Sequence, residues 1–284
     1  MWAPARLSAI YALARASVCP YDRVVGAPKE IEDQIAANDR ILYASRKLET
    51  DAKGFERWST PEGEYWIPRG SHFGLPFKLA EQERDIYTGT EVRVRPGAVV
   101  LDCGANIGVF TRLSLDRGAA KVIAIEPAPE NIESLRRNFA KEIAEGRVVV
   151  YPKGVWDKDD FLTLNVDPHN SAADSFLIQR EGGHEGDKVP LTTIDKLVAD
   201  LGLERVDFIK MDIEGAEVRA LNGARGTISK YHPVMALSAY HNPTDQIEVP
   251  KAVRAAWEGY HLQCGLCAEV KQNFIIRPDI LYFH

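Results

Sequence analysis

The chain is poor in the features that mark several classes of protein. Its 284 residues include only four cysteines, too few and too scattered for a disulfide framework, so we expect a reducing, cytoplasmic environment. No stretch approaches the roughly 20 consecutive apolar residues of a membrane-spanning helix. Basic residues number 35 against 41 acidic ones, so the formal net charge is -6 and no global positive field attracts nucleic acid. These shortages disfavour a secreted disulfide-rich protein, a membrane-spanning protein and a nucleic-acid-binding protein.

Two of the cysteines, Cys264 and Cys267, are separated by two residues. This spacing matches half of a zinc site or a redox pair. No second Cys/His pair lies nearby in the sequence, and no thioredoxin-like strand-turn-helix pattern surrounds the two residues. We interpret the spacing as coincidental.

The first 20 residues are partly apolar, but Arg6 and Arg15 interrupt the apolar run. The segment therefore lacks the uncharged core of a targeting peptide, and we predict a helical extension. An amphipathic helix resting on a membrane surface, with Trp2 and Ile10 on its apolar face, is the alternative. Helix faces of this kind usually pack on their own protein, which favours the first interpretation.

Residues 1–95 form a mainly helical cover region in our division of the chain, and no repeat appears in it. Helical periodicity runs over residues 30–50. Residues 65–67 are the best strand candidate in a stretch rich in aromatics, Gly and Pro, and a short helix is predicted near residues 78–87. We expect this region to cover the binding pocket and to help select the substrate.

Residues 96–284 show the pattern of an α/β domain. Short apolar runs alternate with helical segments, which predicts a mainly parallel sheet with helices on both faces. An edge strand is predicted over residues 161–166, a polar loop over 167–188, and a helix from near Glu214. The buried-strand candidates are residues 98–103, 121–126, 147–151, 206–211 and 233–238. Ligands of such sheets bind beyond the carboxyl ends of the strands, so we look there for chemistry.

The turn after the first buried strand, residues 102–108, reads Asp-Cys-Gly-Ala-Asn-Ile-Gly. Gly104 and Gly108 allow close backbone approach, with Asn106 between them. The turn lacks the third glycine that packs helix to strand beside a pyrophosphate. Asp102 would repel a pyrophosphate but suits a cationic ligand. S-adenosylmethionine, which carries an ammonium and a sulfonium and no phosphate, is such a ligand.

Glu126 ends the next buried strand. A carboxylate at this place can accept hydrogen bonds from both hydroxyls of a ribose, which indicates a ligand that contains a nucleoside. NAD satisfies this condition as well, so an NAD-dependent dehydrogenase or epimerase is an alternative. The missing third glycine argues against it.

The sequence resembles the FkbM-type family of class I S-adenosylmethionine-dependent methyltransferases. Three segments carry the resemblance: residues 100–110, the Ala-Ile-Glu-Pro of residues 124–127, and residues 207–217 with their Lys-Met-Asp-Ile-Glu-Gly-Ala-Glu block. The similarity spans about residues 96–240, and the last block is the most particular to the family.

The resemblance implies a Rossmann-like fold with a central seven-stranded sheet and methyl transfer mostly to oxygen, on sugars or secondary metabolites. It implies that the turn from Asp102 to Gly108 holds the methionine part of S-adenosylmethionine and that Glu126 holds the ribose. The segment of residues 154–157 corresponds to the part that covers adenine in similar enzymes. Trp156 could stack there or could simply be a core aromatic.

Asp212, Glu214 and Glu217 follow the fourth strand at the carboxyl edge of the sheet, and His241 follows the fifth. One or more of these carboxylates should face the transferred methyl, and Asp212 is the strongest candidate to touch both cofactor and acceptor. A hydroxyl is a poor nucleophile until its proton is accepted, so we assign His241 or Asp212 as general base, with Glu214 beside them. The alternative interpretation is that Glu214 and Glu217 only stabilise the N-terminus of a helix.

Several questions stay open at this stage. Asp212, Glu214 and His241 are ligand types that could hold Mg²⁺, but their spacing is no metal signature, so no metal is assigned. Ser171, Asp174 and Ser175 could touch cofactor or acceptor. A non-catalytic cofactor-binding module is a third possibility, although a scaffold has no need for carboxylates aimed at the pocket. The acceptor and the oligomeric state are not determined.

Overall fold

The computed structural model describes residues 19–89, 91–167, 170–178, 182–270 and 275–284, with only the backbone for residues 173, 269, 270 and 275. The N-terminal helix predicted over residues 1–20, with its alternative as a membrane-surface helix, therefore lies almost wholly outside the described residues. No helix within the described ranges has the length and hydropathy that crossing a bilayer requires.

The cover region is a mixture of helix and strand. Its elements are α1 (Tyr21–Ala44), β1 (Arg46–Thr50), β2 (Glu56–Thr60), β3 (Gly63–Ile67), a 3-10 turn (Ser71–Phe73) and α2 (Gly74–Glu83). The three strands form an antiparallel sheet in the order β1-β2-β3. The helix predicted through residue 50 ends at Ala44, because the following residues pair with β2 and satisfy their backbone groups there. The strand predicted at residues 65–67 is confirmed within β3.

The first half of the main domain is a regular strand-helix alternation. It comprises β4 (Val99–Cys103), α3 (Val109–Asp116), β5 (Lys121–Ile125), α4 (Pro129–Asn138), α5 (Ala140–Ala144) and β6 (Val148–Tyr151). A small sheet follows, made of β7 (Gly154–Val155), β8 (Asp160–Val166) and β9 (His184–Thr192), with the 3-10 turn Ser171–Ala173 between the last two. The loop predicted over residues 167–188 is wrong at its end, because His184 already pairs with Val166.

The second half continues the alternation and then reverses direction. Its elements are α6 (Ile194–Asp200), β10 (Phe208–Met211), α7 (Glu217–Asn222), α8 (Arg225–Tyr231), β11 (Val234–Ser238), α9 (Asp245–Ala256), β12 (Leu262–Cys264), β13 (Cys267–Val270), β14 (Ile275–Pro278) and β15 (Ile280–Phe283). α7 begins at Glu217, not near Glu214 as predicted. Glu214 and Gly215 have positive φ angles of 54° and 97°, which a right-handed helix cannot contain.

The central sheet has seven strands in the order β12-β15-β11-β10-β4-β5-β6. Its strands pair in parallel from β11 to β6, and β15 is antiparallel to both of its neighbours. The strands are buried and apolar, as predicted, because helices cover both faces of the sheet. The predicted Rossmann-like fold is confirmed. This strand order brings the carboxyl ends of β4, β5, β10 and β11 to one edge of the sheet. The predicted site residues in the ranges 102–126 and 212–241 lie at the same edge.

Candidate active site

The turn of residues 102–108 is shaped by packing. Gly104 has φ 77°, and a Cβ on it would lie 1.9 Å from the backbone oxygen of Asp212. Gly108 has φ 95°, and a Cβ there would lie 2.1 Å from the Phe139 ring. Asn106 also has a positive φ, of 51°. The two glycines therefore let the turn press against the exit of β10 on one side and against the α4–α5 junction on the other.

Asp102 is fully buried beneath this turn. One of its oxygens lies 3.3 Å from Lys210 Nζ, and the other accepts a 2.7 Å hydrogen bond from Thr111. Lys210 Nζ also donates to the carbonyl oxygen of Gly104 at 2.8 Å. The carboxylate thus neutralises a buried lysine that holds the turn, and a direct contact between Asp102 and a ligand stays a prediction. Lys210 was not singled out from the sequence, although it belongs to the block that carried the resemblance.

Glu126 leaves the end of β5 and is 5% exposed. One carboxylate oxygen accepts a 2.8 Å hydrogen bond from the backbone N–H of Asn106, and the other accepts from the N–H of Ala128 at 2.9 Å. Burial raises the pKa of Glu126, against the opposing effect of these donors. The second oxygen also accepts a hydrogen bond from the side-chain amide of Asn131 at 3.4 Å, so the first oxygen is the one with room for a further donor. Glu126 is therefore fixed in position and can accept a hydrogen bond from a ligand hydroxyl.

Glu126 is in the wall of a pocket at the carboxyl edge of the sheet, which we call the first pocket. It contains about 510 Å³ of space between its walls, part of which is open to solvent. Its walls are residues Gly104, Asn106, Ile125, Glu126, Pro127, Lys153, Gly154, Val155, Ser171, Ala172, Asp174, Phe176, Asp212, Ile213, Glu214 and Ala216. Two of the three loop residues considered from the sequence, Ser171 and Asp174, are thus at the pocket. Burial raises the pKa of Asp174 to about 7.

The aromatic side chain at the pocket wall is Phe176, in place of the predicted Trp156. Trp156 is buried among Leu191 and Ala216 behind the wall. Its ring meets that of Phe176 edge-on, with centroids 6.3 Å apart. The segment of residues 154–157 does reach the pocket, since Gly154 lines it, but the side chain of Trp156 turns into the core. The burial of a large ring with Leu191 explains this orientation.

A second pocket adjoins the first and shares Gly104, Asn106, Ala172 and Asp212 with it. Its other walls are Lys78, Glu81, Gln82, Tyr87, Ala105, Val109, Phe110 and Lys210. The side-chain amide nitrogen of Asn106 is buried and has no hydrogen-bond partner among the described residues. An unpaired buried donor is costly, so this nitrogen at the junction of the pockets is a natural contact for a ligand oxygen.

Asp212 follows β10 at the junction of the two pockets and accepts hydrogen bonds on both carboxylate oxygens. Tyr87 donates to one oxygen at 2.9 Å, and Lys78 Nζ lies 3.3 Å from the same atom. Ser238 and Tyr240 donate to the other oxygen at 2.9 and 3.2 Å. Burial disfavours the charge, but the nearby cations outweigh burial and hold the pKa of Asp212 well below its usual range. Asp212 is therefore a fixed anion and a poor proton acceptor, which disfavours it as the general base, and its catalytic role stays a prediction.

His241 lies between three carboxylates, with its side chain only 3% exposed. Its Nδ1 is 3.0 Å from Glu217, and its Nε2 is 3.5 Å from both Asp212 and Glu214. Burial alone lowers the pKa of His241, but the contacts with Glu214 and Glu217 and the charge of Asp212 outweigh it and raise the value to about 10. The imidazole is thus protonated at neutral pH. This disfavours His241 as the general base, because an imidazolium has no free lone pair for a proton, and a catalytic role of His241 stays a prediction.

The charge on His241 predicts a specific pH dependence of stability. Because the pKa of His241 is raised on folding, its contribution is complete below the unfolded value of 6.5 and is lost as the pH rises through about 10. We expect the free energy of unfolding of the wild type to fall by a few kcal/mol relative to His241→Gln across this window. Chemical denaturation of both proteins at a series of pH values measures the difference. Parallel curves would show that His241 is neutral in the folded protein.

Lys78 and Glu81 are site residues that the sequence did not reveal. Both belong to α2 of the cover region, and their side chains lie 3.3 Å apart. Burial lowers the pKa of Lys78, but Glu81, Asp212 and Glu214 together hold it above its usual value. Burial raises the pKa of Glu81. An isolated Lys and Glu three residues apart on a helix carry no functional signal, so only the packing of α2 on the sheet edge identifies them.

The same acidic groups are arranged so that they could hold a cation. Asp212, Glu214 and His241 each offer one ligand atom, and these atoms lie within 4.8 Å of one another. Glu217, His241 and Asp245 form a second such group in the described part of the chain. A metal ion would have to displace the proton of His241, because a cationic imidazole cannot be a ligand.

The strand order of the sheet, the glycine turn after β4 and the carboxylate after β5 together define a Rossmann-like methyltransferase of class I. A crystal structure of methyltransferase FkbM from Methylobacillus flagellatus has a similar fold, with a TM-score of 0.51 and 21% sequence identity over 92% of this chain and 62% of that one. The family model of the methyltransferase FkbM domain matches residues 102–265, more than half of the chain. The chain therefore belongs to the FkbM methyltransferase family, and the resemblance found in its sequence is confirmed.

Two relatives of known name show how far the similarity extends. The 31-O-demethyl-FK506 methyltransferase FkbM of Streptomyces tacrolimicus is 26% identical in an alignment 159 positions long that covers 46% of this chain and 61% of the relative. The 2-O-methyltransferase NoeI of Sinorhizobium fredii is 28% identical in an alignment 154 positions long that covers 48% of this chain and 61% of the relative. The chain thus spans about three-fifths of the length of these relatives.

Proposed function

We propose that the chain transfers a methyl group from S-adenosylmethionine to a hydroxyl oxygen of a small molecule. The observation that carries the proposal is the junction of two pockets at Gly104, Asn106 and Asp212, with the fixed carboxylate of Glu126 in the wall of the first. The names of two relatives support oxygen as the acceptor atom, since both describe O-methyltransferases. The acidic balance of the chain favours a small acceptor over nucleic acid.

The residues present suit this cofactor in shape and charge. In our proposal the first pocket takes the adenosine part, with Glu126 on the ribose hydroxyls and Phe176 at the wall. The second pocket takes the amino-acid part, beside the unpaired amide nitrogen of Asn106. Among the residues that line the two pockets, carboxylates outnumber cations by five to three: Glu81, Glu126, Asp174, Asp212 and Glu214 against Lys78, Lys153 and Lys210. This excess favours a ligand with net positive charge.

The bound cofactor supplies an electrophilic methyl group on a sulfonium, and the chain supplies alignment. Asp212 and His241 cannot accept a proton efficiently at neutral pH, because the first has a low pKa and the second is already protonated. Their network instead holds a fixed pattern of charge at the junction of the pockets. A preorganised site of this kind lowers the barrier by fixing the reactants and by facing them with oriented charges. Helix α2 contributes Lys78, Glu81 and Gln82 to the wall of the second pocket.

The two alternatives are disfavoured on separate grounds. A dehydrogenase or epimerase needs room for a pyrophosphate at the glycine turn, but Gly104 is already in contact with the exit of β10 and the third glycine is missing. A module that only binds the cofactor has no need for the four hydrogen bonds that fix Asp212, one of which comes from the charged Lys78. Neither alternative explains why Lys78 of the cover region reaches the pocket.

Binding of S-adenosylhomocysteine tests the proposal directly. We expect calorimetry to show binding in the micromolar range, about -8 kcal/mol, with NAD much weaker. Glu126→Gln should weaken S-adenosylhomocysteine by about 1.5 to 3 kcal/mol, or roughly 10- to 150-fold, because charge-assisted hydrogen bonds to the ribose are lost. Glutamine retains the shape of the side chain, so the backbone contacts of residue 126 are disturbed less than by alanine.

Glu130→Gln is the matched control. Glu130 lies four residues further along at the start of α4 and is exposed. The Glu130→Gln substitution removes the same charge, but Glu130 is not in the pocket wall. We therefore expect its affinity for S-adenosylhomocysteine to be unchanged. Equal affinity of Glu126→Gln and wild type would show that Glu126 does not hold the ribose. Tight binding of NAD without a signal for S-adenosylhomocysteine would refute the proposed function.

A further inference from the structure

Three of the four cysteines meet at one point, outside the walls of the two pockets. Cys19 precedes α1, Cys264 ends β12 and Cys267 begins β13, and all three are buried. The sulfur of Cys19 contacts the sulfurs of both Cys264 and Cys267, which are themselves 3.4 Å apart. The fourth cysteine, Cys103, is buried in the central sheet. Cys264 and Cys267, whose spacing was interpreted as coincidental, thus have a third partner in Cys19, which lies 245 residues before Cys264.

A disulfide accounts for only part of this arrangement. One sulfur forms one disulfide bond, so a bridge from Cys19 to either partner leaves the third sulfur unexplained at the same point. The Cα atoms of Cys19 and Cys264 are 5.4 Å apart, but those of Cys19 and Cys267 are 7.2 Å apart, which exceeds the reach of a disulfide without backbone movement. A metal ion between the sulfurs has no such limit on Cα spacing and uses all three.

The three sulfurs have the donor chemistry of a soft metal site. Each cysteine offers one ligand atom, and the three atoms lie within 4.8 Å of one another. They belong to a buried cluster with the apolar residues Val24, Ala27 and Ile276. Apolar burial disfavours free thiolates, so ionised sulfurs in this place need a bound cation. Thiolate sulfur selects Zn²⁺ over the hard cations Mg²⁺ and Ca²⁺.

We infer that Cys19, Cys264 and Cys267 form a three-thiolate site for a thiophilic divalent cation, with Zn²⁺ as the occupant. On binding, the three thiols release three protons to solvent and form three metal–sulfur bonds, with no change of oxidation state. A fourth, exogenous donor such as water completes the tetrahedron that zinc prefers. The site joins the start of α1 to the β12–β13 turn.

The position of the site gives it a structural consequence. α1 holds α2 through Gln34, whose amide donates to the carbonyl oxygen of Phe77 at 3.1 Å and accepts from Arg84 at 2.7 Å. α2 in turn carries Lys78 to Asp212. A metal ion that anchors the first residues of α1 to the C-terminal strands therefore stabilises the cover region over the pockets.

Metal analysis of the full-length chain, purified without chelators, tests the inference. We expect about one zinc per chain by mass spectrometry of the metal content. Cys19→Ser, Cys264→Ser and Cys267→Ser should each lose most of the zinc, whereas Cys103→Ala should retain it. Replacement of zinc by Co²⁺ in the wild type should produce sulfur-to-cobalt charge-transfer absorption and the strong visible bands of tetrahedral cobalt. The cobalt spectrum needs no variant, so it remains decisive if a serine variant does not fold.

Two results would overturn the inference. The first is a reduced, folded wild type that takes up neither Zn²⁺ nor Co²⁺ when either ion is supplied. The second is a native chain whose mass shows one disulfide linking the Cys19 peptide to the Cys264–Cys267 peptide, and which binds no metal after reduction. Neither result bears on the binding of S-adenosylhomocysteine, so failure here and failure of the proposed function are separate outcomes.

Discussion

Gly104→Ala should destabilise the folded chain by about 4 kcal/mol or more and should abolish binding of S-adenosylhomocysteine. The added Cβ would lie 1.9 Å from the backbone oxygen of Asp212 and 3.2 Å from Ile213. Real Cβ atoms do not approach another atom within 3.0 Å, so the exit of β10 would have to move by about 1 Å. Such a shift disrupts the junction of the two pockets. Because domains are stable by only about 5 to 15 kcal/mol, the loss is a large share of the total.

Gly146→Ala is the matched control for this effect. Gly146 has nearly the same positive φ, 73° against 77°, but nothing lies within 4 Å of the position of its Cβ. It therefore measures the cost of placing alanine in a left-handed conformation, about 1 kcal/mol. Chemical denaturation of both variants separates the backbone cost from the steric one. If Gly104→Ala is as stable as Gly146→Ala and binds S-adenosylhomocysteine normally, the turn and the exit of β10 are not in contact.

Asp212→Asn should lower methyl-transfer turnover by about 10² to 10³ while S-adenosylhomocysteine affinity changes only a few-fold. The amide removes the negative charge that Lys78 and His241 face, and its NH₂ group would confront donors such as Tyr87 and Ser238. Some loss of stability accompanies the change, because a buried charge network is left unbalanced. Transfer of labelled methyl from S-adenosylmethionine to a panel of small-molecule hydroxyl acceptors gives the rate.

Asp200→Asn serves as the control for Asp212→Asn. Asp200 makes an exposed ion pair with Lys196 at the end of α6 and loses the same charge far from the pockets. We expect its turnover to equal that of the wild type. Full activity of Asp212→Asn would show that the charge at the junction is dispensable. If wild-type turnover instead requires added Mg²⁺ in protein that retains its zinc, a metal-assisted route through Asp212, Glu214 and a neutral His241 replaces alignment.

The two residues assigned as general base, His241 and Asp212, are disfavoured in that role for one physical reason. His241 was assigned because it follows β11 at the carboxyl edge of the sheet, a position typical of a general base. In the folded chain the carboxylates of Glu214, Glu217 and Asp212 surround it and reverse the conclusion. The pKa of Asp212 is lowered instead, because Lys78 reaches its carboxylate from a different region of the chain. The protonation state of a group depends on burial and neighbours, and neither is a local property of the sequence.

The resemblance of the sequence to the FkbM family implied the seven-stranded sheet. Residue patterns by themselves determined the five buried strands, the glycine turn and the acidic residues at the strand ends. These features follow from local patterns, since apolar runs predict buried strands and parallel strands bring their carboxyl ends to one edge. Only the tertiary structure decided that Asp102 neutralises Lys210, that Phe176 and not Trp156 meets the pocket, that Lys78 enters the site, and that Cys19 joins Cys264 and Cys267. Each of these depends on contacts between residues far apart in the chain, whose distances and shared burial arise only when the elements pack.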